Sequence, residues 1–236
     1  MTQADPATFD LVQAEIERRR GGGRYSGVTI FSNRIKCGEC GNFYGSKVWH
    51  STDKYRRVIY RCNHKYNGKK CSTPHLVEEE IKAAFVTAFN KLYEKKDTLL
   101  ENLKLVQEQV CDTTTLETEQ RKLADEMQVL VEMVQSCIGE NARIAQNQEE
   151  YQERYNELVS RYDAVKEKHD ATAEAINAKR VKEETLDAFA KALRNREEAL
   201  TDFDEGLWGT LVDFMTVYGK GDIGVTFRDG TEIRIG

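Results

Sequence analysis

The sequence from Lys36 to Cys71, KCGECGNFYGSKVWHSTDKYRRVIYRCNHKYNGKKC, contains two pairs of cysteines. Cys37 and Cys40 form a C-x2-C pair, and Cys62 and Cys71 form a wider pair after an insert of 21 residues. Two cysteine pairs around a short β-rich insert are the ligand set of a closed tetrahedral zinc site, which stabilises a fold and leaves no position for a catalytic water. We therefore predict one structural Zn2+ on these four cysteines.

Other interpretations of these thiols stay open at the level of sequence. Four thiols could form two disulfides or have no common role, and His64 could replace Cys62 as a ligand, which would leave one cysteine unused. Gly38 and Gly41 favour a knuckle, whose backbone turns tightly around a metal. A zinc hydrolase is excluded by ligand type, because catalytic zinc keeps a water and usually has histidine or carboxylate ligands.

The charge of the chain is divided unevenly. Residues 24–75 contain 11 Lys and Arg against two acids, which gives +9, whereas residues 76–236 contain 21 against 34, which gives −13. Residues 1–23 add −1, and the total is −5. Zinc on four thiolates lowers the charge of the basic segment to about +7. A basic module within an acidic chain favours a polyanionic partner, of which nucleic acid is the usual one.

Between the cysteine pairs, the segments NFYGSKVWH and KYRRVIYRC alternate large apolar and basic residues. This pattern predicts a hairpin turned near Ser51–Asp53, with one packed and one solvated face. Cations at this density beside aromatic rings suit contacts to phosphates and guanine edges, although an ordinary solvated face is the alternative. The candidate DNA contacts are Arg34, Lys47, Trp49, His50, Lys54, Tyr55, Arg56, Arg57, Arg61, Lys65, Lys69 and Lys70.

The flanking segments predict helices and strands. Residues 6–20 indicate a short helix, Gly21–Gly23 a flexible linker, and Val28–Phe31 a short strand. After Pro74, apolar residues at helical spacing predict one amphipathic helix and then its continuation to Val110. The first helical face consists of Ile81, Phe85, Ala88, Phe89 and Leu92.

Two heptad seams of matched length follow, and they predict an antiparallel coiled-coil arm. Thr114 with Glu117 indicates a capping box at its start, and Gly139–Asn141 indicates the turn between the seams. When the two seams fold back on each other, each pair of facing residues has numbers that add to 288 or 289. This register places Gln120 opposite His169. A hydrogen bond between these two side chains would fix the register. The seam residues are Leu116, Gln120, Leu123, Met127, Leu130 and Val134, then Tyr151, Tyr155, Leu158, Tyr162, Val165 and His169.

The C-terminal segment predicts a separate amphipathic helix, a short capped helix and three strands. Leu186, Phe189, Leu193 and Leu200 mark the first helix, and Asp204 caps the second. The strands are VDFMTVY, IGVTF and EIRI. Because a lone three-stranded meander is marginal, we expect it to pack back on the ribbon and on the helix that begins near Leu76.

These elements predict an α+β fold: a small zinc β-ribbon with long helices, an inserted antiparallel coiled-coil hairpin and a C-terminal β-meander. The expected divisions are a tail and linker, the ribbon with its connecting helix, the arm with its tip near 138–148, and the returning helix and strands that complete the ribbon domain. Their bounds are 1–23, 24–112, 113–184 and 185–236. The chain lacks an apolar run of about 20 residues and a signal peptide, so a cytoplasmic location is expected.

Four stretches, in this order, carry a resemblance to the C-terminal part of a large serine recombinase, the class of phage integrases and mobile-element resolvases. DPATFDLVQAEIERRR resembles the tail of that family's recombinase domain, and FSNRIKCGECG with the later YRC and final cysteine resembles its zinc ribbon. NQEEYQERYNEL resembles the returning helix of its coiled coil, and DFDEGLWGTLVDFMTVYGKGDIGVTFRDGTEI resembles its closing helix and strands.

The resemblance implies that the ribbon recognises double-stranded attachment-site DNA. It also implies that the coiled coil pairs recombinase subunits, decides which sites synapse and controls whether integration or excision occurs. An accessory directionality factor binds near the arm in some members. A bacterial or phage-encoded protein of this kind works at the nucleoid.

The chain departs from the family pattern in one respect. Nothing in it corresponds to the N-terminal catalytic domain with its serine nucleophile, so a fragment or separated C-terminal part that binds DNA without cutting it is expected. The alternative is a zinc-stapled coiled-coil scaffold whose ribbon binds protein. The charge of the ribbon discriminates between the DNA-binding and the protein-binding hypothesis, because a ribbon that binds protein does not require a net charge of +7 to +9.

Overall fold

The structure is a computed structural model that describes residues 29–50, 52–66 and 68–236, without the side chains of Lys65 and Tyr66. The predicted helix at 6–20 and the linker Gly21–Gly23 lie outside the described residues. Up to Gln107, the described chain forms one compact unit together with Glu183–Gly236. Residues Glu108–Lys182 form a second unit.

The described residues form nine strands and five helices. The strands are β1 (Ile35–Cys37), β2 (Tyr44–Trp49), β3 (Arg57–Cys62), β4 (Lys65–Tyr66), β5 (Lys69–Lys70), β6 (Leu76–Val77), β7 (Val212–Val217), β8 (Ile223–Phe227) and β9 (Glu232–Ile235). The helices are α1 (Glu78–Tyr93), α2 (Lys96–Val110), α3 (Thr114–Arg143), α4 (Gln148–Arg194) and α5 (Glu205–Leu211). This composition confirms the predicted α+β class.

The C-terminal strands complete the sheet that begins at the first cysteine. The order of the four-stranded sheet is β1-β7-β8-β9, and β1 runs parallel to β7 with Cys37 beside Val217. The parallel pairing requires a long connection, which the helices between residues 78 and 211 supply. The predicted return of the chain to the ribbon is therefore confirmed.

The predicted hairpin is the β2–β3 pair, whose register places Lys47 opposite Ile59 and Trp49 opposite Arg57. Strand β6 adds to β3 only at Ile59 and Tyr60, and both of these residues are buried. The prediction of one packed and one solvated face is therefore wrong. Because successive side chains of a strand point to opposite faces, the hairpin is packed on both faces at Ile59 and Tyr60, and it is exposed toward its turn.

Helix α1 packs its apolar face into the core of the first unit. The carboxylate of Glu80 accepts a hydrogen bond from the Val77 amide at 2.8 Å, which satisfies a free donor at the helix start. Aromatic rings from distant segments meet above this face: the Trp208 ring lies 5.2 Å from Phe31 and 5.5 Å from Phe85. The buried residues of α1 are Ile81, Ala84, Phe85, Ala88, Phe89 and Leu92, which include the five predicted ones.

The first unit differs from the prediction in two local elements. The described part of the predicted strand at Val28–Phe31 is a turn, in which the Ser32 amide donates to the Thr29 carbonyl at 3.0 Å. The helix predicted around Leu186 is the end of α4, which continues to Arg194. Sequence periodicity does not separate two helices from one continuous helix when no Gly or Pro intervenes.

The second unit is an arm of two helices, contributed by α3 and α4. Its seam forms one apolar cluster, in which Leu130, Cys137, Leu158 and Val165 are buried and Leu123, Met127, Val134, Tyr151, Tyr155 and Tyr162 are partly buried. Two ion pairs link the helices, Glu140 with Arg154 at 3.0 Å and Glu117 with Arg180 at 2.9 Å. The helices are therefore antiparallel.

Both ends of α3 differ from the prediction. The turn lies at 144–147, and Gly139 is inside the helix, because a single glycine costs only about 1 kcal/mol in a helix. At the start, Thr113 is the cap residue, and the carboxylate of Asp112 accepts from the Thr114 amide at 2.9 Å. The predicted Thr114–Glu117 capping box is therefore wrong: Thr114 is the first helical residue, and the Glu117 carboxylate accepts from the Thr113 hydroxyl at 2.9 Å.

The register of the seam stays a prediction. In an antiparallel pair, the numbers of facing residues have a constant sum, which defines the register. If Arg143 faces Gln148 across the turn, this sum is 291, and the residues of the two ion pairs give 294 and 297. All three sums exceed the predicted 288 or 289. The described hydrogen bond of His169 goes from its ring to Asp170 at 3.3 Å.

Helix α5 begins as predicted, because the carboxylate of Asp204 accepts from the Leu207 amide at 2.9 Å. The strands β7, β8 and β9 occupy the three predicted segments. Among the helices that the structure describes, none combines the length and the apolar composition that crossing a membrane requires.

Candidate zinc centre and nucleic-acid interface

The first knuckle is a tight turn held by backbone hydrogen bonds. The Gly41 amide donates to the Cys37 carbonyl at 2.8 Å, and Gly41 has a φ of 73°, a conformation that favours glycine. At Gly38, a Cβ atom would lie 2.9 Å from the Val217 carbonyl oxygen, because β7 passes directly beside the knuckle. Both glycines are therefore required by the backbone around the metal.

The four predicted ligands converge. The Sγ atoms of Cys37, Cys40, Cys62 and Cys71 all lie within 4.8 Å of one another. The Cys40–Cys62 and Cys62–Cys71 sulfur distances are 3.5 and 3.8 Å, far beyond the ~2.05 Å of a disulfide. Zn–S bonds of about 2.3 Å in a tetrahedron place sulfur atoms about 3.8 Å apart, so the donor set fits one Zn2+.

All six cysteines are free thiols, which excludes the two-disulfide interpretation. The alternative in which His64 replaces Cys62 is also wrong. Cys62 belongs to the sulfur cluster, and the His64 backbone amide donates to its sulfur at 3.4 Å. The chain therefore has one structural zinc site with four thiolate ligands.

Hydrogen-bond donors surround three of the sulfurs. The Thr73 hydroxyl lies 3.2 Å from Cys37 Sγ, and the Asn42 side-chain amide lies 3.6 Å from Cys40 Sγ. The His64 amide serves Cys62 in the same way. These donors disperse the negative charge of a zinc tetrathiolate and orient its ligands.

The carboxylate of Glu39 joins the two knuckles on the outside of the site. It accepts from the Ser72 amide at 2.6 Å and from the Ser72 hydroxyl at 3.3 Å. Ser72 follows the last ligand, whereas Glu39 lies between the first two. Glu39 therefore fixes the segment after Cys71 against the first knuckle without contacting the metal.

The thiols of the site differ in acidity. Burial opposes ionisation of Cys40, but hydrogen bonds from Asn42 and the neighbouring thiols outweigh it and lower the pKa of Cys40 to about 6. Burial raises the pKa of Cys62 to about 11, and hydrogen bonding with Cys40 raises the pKa of Cys71. Neighbouring thiolates repel one another, so the full set of charges requires a cation.

The cations of the hairpin are concentrated toward its turn. Lys47, Trp49, Arg57 and Arg61 share one face of the β2–β3 pair, since directly opposite residues of an antiparallel pair lie on the same side. Lys54 and Arg56 lie in the exposed turn segment, and Lys69 and Lys70 are exposed on β5. The predicted contacts thus fall in two places: one group lies on the hairpin and its turn, and Arg61 with the β4–β5 loop lies at the zinc end of β3.

One of these cations is held by aromatic rings. The Arg57 guanidinium lies 5.3 Å from the centre of the Trp49 ring, and the ring of His75 lies 4.8 Å from Trp49 at an angle of 48°. Contact with the Trp49 ring restricts the guanidinium while leaving its donors available. His75 was not among the predicted residues, and only its position four residues after the last ligand indicates a role.

Arg34 does not belong with the predicted DNA contacts. Its side chain is only 4% exposed, and its guanidinium donates to the carbonyl oxygens of Trp208 at 3.0 Å and Val212 at 2.9 Å. A buried guanidinium that serves backbone carbonyls is a structural anchor. The prediction failed because a cation count does not distinguish a buried arginine from an exposed one.

Sequence reasoning also missed the groups that surround the zinc ligands. Thr73 and Asn42 hydrogen-bond ligand sulfurs, and Glu39 accepts from the amide and hydroxyl of Ser72. Each lies within two residues of a ligand in the sequence, and this proximity is the signal that could have identified them.

Comparisons with known proteins place the ribbon in a family. Residues 30–90 match the family described as the recombinase zinc beta ribbon domain. A solved structure described as a crystal structure of an LSR–DNA complex is 14% identical, with a TM-score of 0.37. The match covers 95% of this chain and 64% of that chain, so this chain spans less than two thirds of its length. No curated protein matches the chain.

Proposed function

Because residues 30–90 form a recombinase zinc β-ribbon domain, we propose that this chain is the DNA-binding and synapsis-control region of a site-specific serine recombinase. In this proposal the ribbon recognises an attachment site in double-stranded DNA. The zinc folds the reading module and takes no part in chemistry, since four thiolates leave no open coordination position. DNA cleavage is assigned to the parent recombinase rather than to residues of this chain.

The unpaired cations of the ribbon are the observation that carries the proposal. Within the described residues, the exposed side chains of Lys47, Lys54, Arg56, Arg57, Lys69 and Lys70 form no ion pair with a carboxylate. Mutual repulsion among unpaired cations disfavours such a surface unless an anionic partner neutralises it. A phosphate backbone supplies regularly spaced negative charge and releases counterions on binding.

We assign subunit pairing and directionality control to the arm. Its outer part carries apolar side chains that are exposed to solvent, and such residues support a protein partner rather than DNA. They are Val129, Met133, Ile138 and Ile144. The partners in this proposal are other recombinase subunits and an accessory directionality factor. A bacterial or phage-encoded protein of a mobile element would use this arm in the reducing cytoplasm at the nucleoid, where thiolates stay available for zinc.

Charge reversal tests the assignment of DNA binding to the ribbon. Changing Arg56 and Arg57 together to Glu should abolish retention on duplex DNA and on heparin. The matched control is Glu153→Arg in the arm, which should not weaken binding. Each lost phosphate contact should reduce the slope of log K against log salt by about 0.9.

Two outcomes would contradict the proposal. If the ribbon and arm changes weaken binding alike, the ribbon is not the DNA reader. If the unaltered protein is not retained on heparin at low salt, the alternative of a scaffold with a protein-binding ribbon is favoured. A pull-down in which Cys40→Ser removes a captured protein would then identify the ribbon as a protein-binding module.

A further inference from the structure

The turn that closes the β2–β3 hairpin is organised by one carboxylate. Asp53 accepts a hydrogen bond from the Tyr55 amide at 2.7 Å, and its second oxygen lies 3.1 Å from His50 Nδ1. The backbone closes around the same residue, since the Asp53 amide donates to the His50 carbonyl and the Arg56 amide to the Asp53 carbonyl. An Asx turn of this kind substitutes a side chain for a backbone hydrogen bond.

The turn includes a residue in a costly backbone conformation. His50 has a φ of 54°, in the left-handed region, which few residues other than glycine occupy without support. The Asp53 carboxylate bonds the ring of that same residue. The carboxylate therefore stabilises a turn shape that the backbone alone does not favour.

This turn presents an aromatic ring between cations. Tyr55 is 65% exposed, and Lys54 Nζ lies 5.2 Å from the centre of its ring. The ring of His50 meets Tyr55 edge to face at 6.4 Å. Exposed aromatic and cationic groups that contact one another in this way suit a nucleic-acid groove, where rings contact bases and cations contact phosphates.

An acid at this position is unexpected on electrostatic grounds. Residues 24–75 contain 11 Lys and Arg and only two acids, Glu39 and Asp53. A carboxylate at a DNA-binding surface repels phosphate and lowers affinity for any sequence. Glu39 instead accepts a hydrogen bond from the Ser72 amide, and Asp53 accepts one from the Tyr55 amide. Each acid therefore stabilises the local backbone conformation, and this explains its presence better than its charge does.

We infer that Asp53 is a positioning residue for DNA recognition, which holds the hairpin turn so that Tyr55 and the adjacent cations meet a specific site in one arrangement. This inference rests on the proposed DNA-binding function. A turn that is ordered before binding loses less conformational freedom in the complex. Asp53 thus increases the preference for the correct sequence at the expense of affinity for DNA in general.

The two effects of the carboxylate predict opposite changes in one variant. Asp53→Ala removes a negative charge, so affinity for a scrambled duplex should rise. The same variant loses the turn, so affinity for the preferred duplex should fall, and the preference ratio should drop about tenfold. Asp53→Asn keeps an oxygen acceptor for the Tyr55 amide without the charge. It should therefore retain most of the preference, whereas a purely electrostatic role makes the two variants equal.

The experiment uses the full chain loaded with zinc. The probe is a duplex that the unaltered protein selects from a randomised library, compared with a scrambled duplex of the same composition. Asp213→Asn on β7 is the matched control, because it makes the same charge change at an exposed residue outside the ribbon. Equal zinc content and equal helical circular dichroism establish that the variants are folded.

The outcomes separate this inference from the proposed function. A lower preference ratio for Asp53→Ala, with rescue by Asp53→Asn and no change for Asp213→Asn, supports the inference. Sequence-selective binding by the unaltered protein with an unchanged or raised ratio for Asp53→Ala overturns the inference alone. Failure of the unaltered protein to bind any duplex overturns the proposed function and this inference together.

Discussion

The guanidinium of Arg34 donates a hydrogen bond to the carbonyl oxygen of Trp208 at 3.0 Å, although the two residues are 174 positions apart in the chain. The same guanidinium donates to Val212, and Arg228 donates to Gly209 at 3.0 Å, so two arginines hydrogen-bond carbonyls in and directly after α5. The segment before the zinc ribbon is thereby joined to the segment that completes its sheet.

Replacing Arg34 by Met should destabilise the first unit by about 3 kcal/mol, because it removes the hydrogen bonds from a buried guanidinium to the carbonyls of Trp208 and Val212. Urea unfolding followed by tryptophan fluorescence measures this change, since Trp49 and Trp208 both lie in that unit. Arg56→Ala is the control at an exposed arginine and should change stability by less than about 0.5 kcal/mol. A stable Arg34→Met protein with weakened DNA binding would instead restore Arg34 to the DNA contacts.

Zinc affinity should increase steeply with pH. The pKa values of Cys62 and Cys71 are raised, so both thiols are protonated at neutral pH, whereas the Cys40 pKa of about 6 leaves that thiol mostly ionised. Zinc must therefore displace at least two protons, and its affinity should rise about 100-fold per pH unit between pH 7 and 9. Below pH 6, protonation of Cys40 should make the dependence steeper.

Competition with a chromophoric chelator at several pH values measures this dependence, and proton release in weakly buffered solution provides a second reading. Cys40→Ser should lose zinc and unfold the ribbon while the arm stays helical. A pH-independent affinity between pH 7 and 9, or purified protein with less than about one zinc per chain, would contradict the thiolate site.

Thr73 should control how long zinc stays bound. Thr73→Val keeps the shape of the side chain and removes the hydroxyl that lies 3.2 Å from Cys37 Sγ. Loss of a group that hydrogen-bonds a ligand typically costs 10- to 100-fold in metal affinity, so chelator-induced zinc release should accelerate by roughly that factor. Thr87→Val on α1 is a control, because the Thr87 hydroxyl bonds only its own helix. Equal rates of zinc release from Thr73→Val and Thr87→Val would show that the Thr73 hydroxyl does not stabilise the zinc site.

The arm contains its own probe of register, because Cys137 is buried in the seam. The sequence-based register places Cys137 opposite Tyr151, whereas a register centred on the turn at 144–147 places it opposite Arg154, beside the seam residue Tyr155. We expect Tyr155→Cys to form a disulfide with Cys137 and Tyr151→Cys to do so more slowly, since a bridge requires Cα atoms within about 7 Å.

Cys111→Ser in both variants removes the other cysteine outside the zinc site. Non-reducing electrophoresis and mass spectrometry of the linked peptides identify the bridge. Faster cross-linking of Tyr151→Cys would instead support the sequence-based register, in which the numbers of facing residues add to 288 or 289. In that register Gln120 faces His169.

Sequence patterns predicted the parts of this protein that have strong local signals. The spacing of four cysteines identified the zinc ligands, and Asp204 identified a helix start, because both rest on the chemistry of single residues. The turn at 144–147 lies within the predicted tip at 138–148, but the break predicted at Gly139–Asn141 is wrong, because a single glycine is tolerated in a helix whose seam is packed.

Features that depend on distant parts of the chain could not be predicted. The burial of Arg34 follows from its hydrogen bonds to the carbonyls of Trp208 and Val212, which lie 174 and 178 residues further along the chain. The roles of Glu39 and Asp53 could be predicted only in part. Both acids are evident in the sequence, but only the structure shows that their carboxylates accept hydrogen bonds from backbone amides.

The pairing of Cys37 with Val217 has a consequence for synthesis on the ribosome. Val217 is added 180 residues after Cys37, which at usual elongation rates is roughly 10 to 40 s later. During that interval the first knuckle lacks its neighbouring strand. The arm reduces the search that follows, because its own folding brings Val110 and Lys179 into hydrogen-bond contact at 2.7 Å and closes most of the intervening loop. A chain whose translation stops before β7 leaves the edge of β1 unpaired, so only completed chains present a finished ribbon.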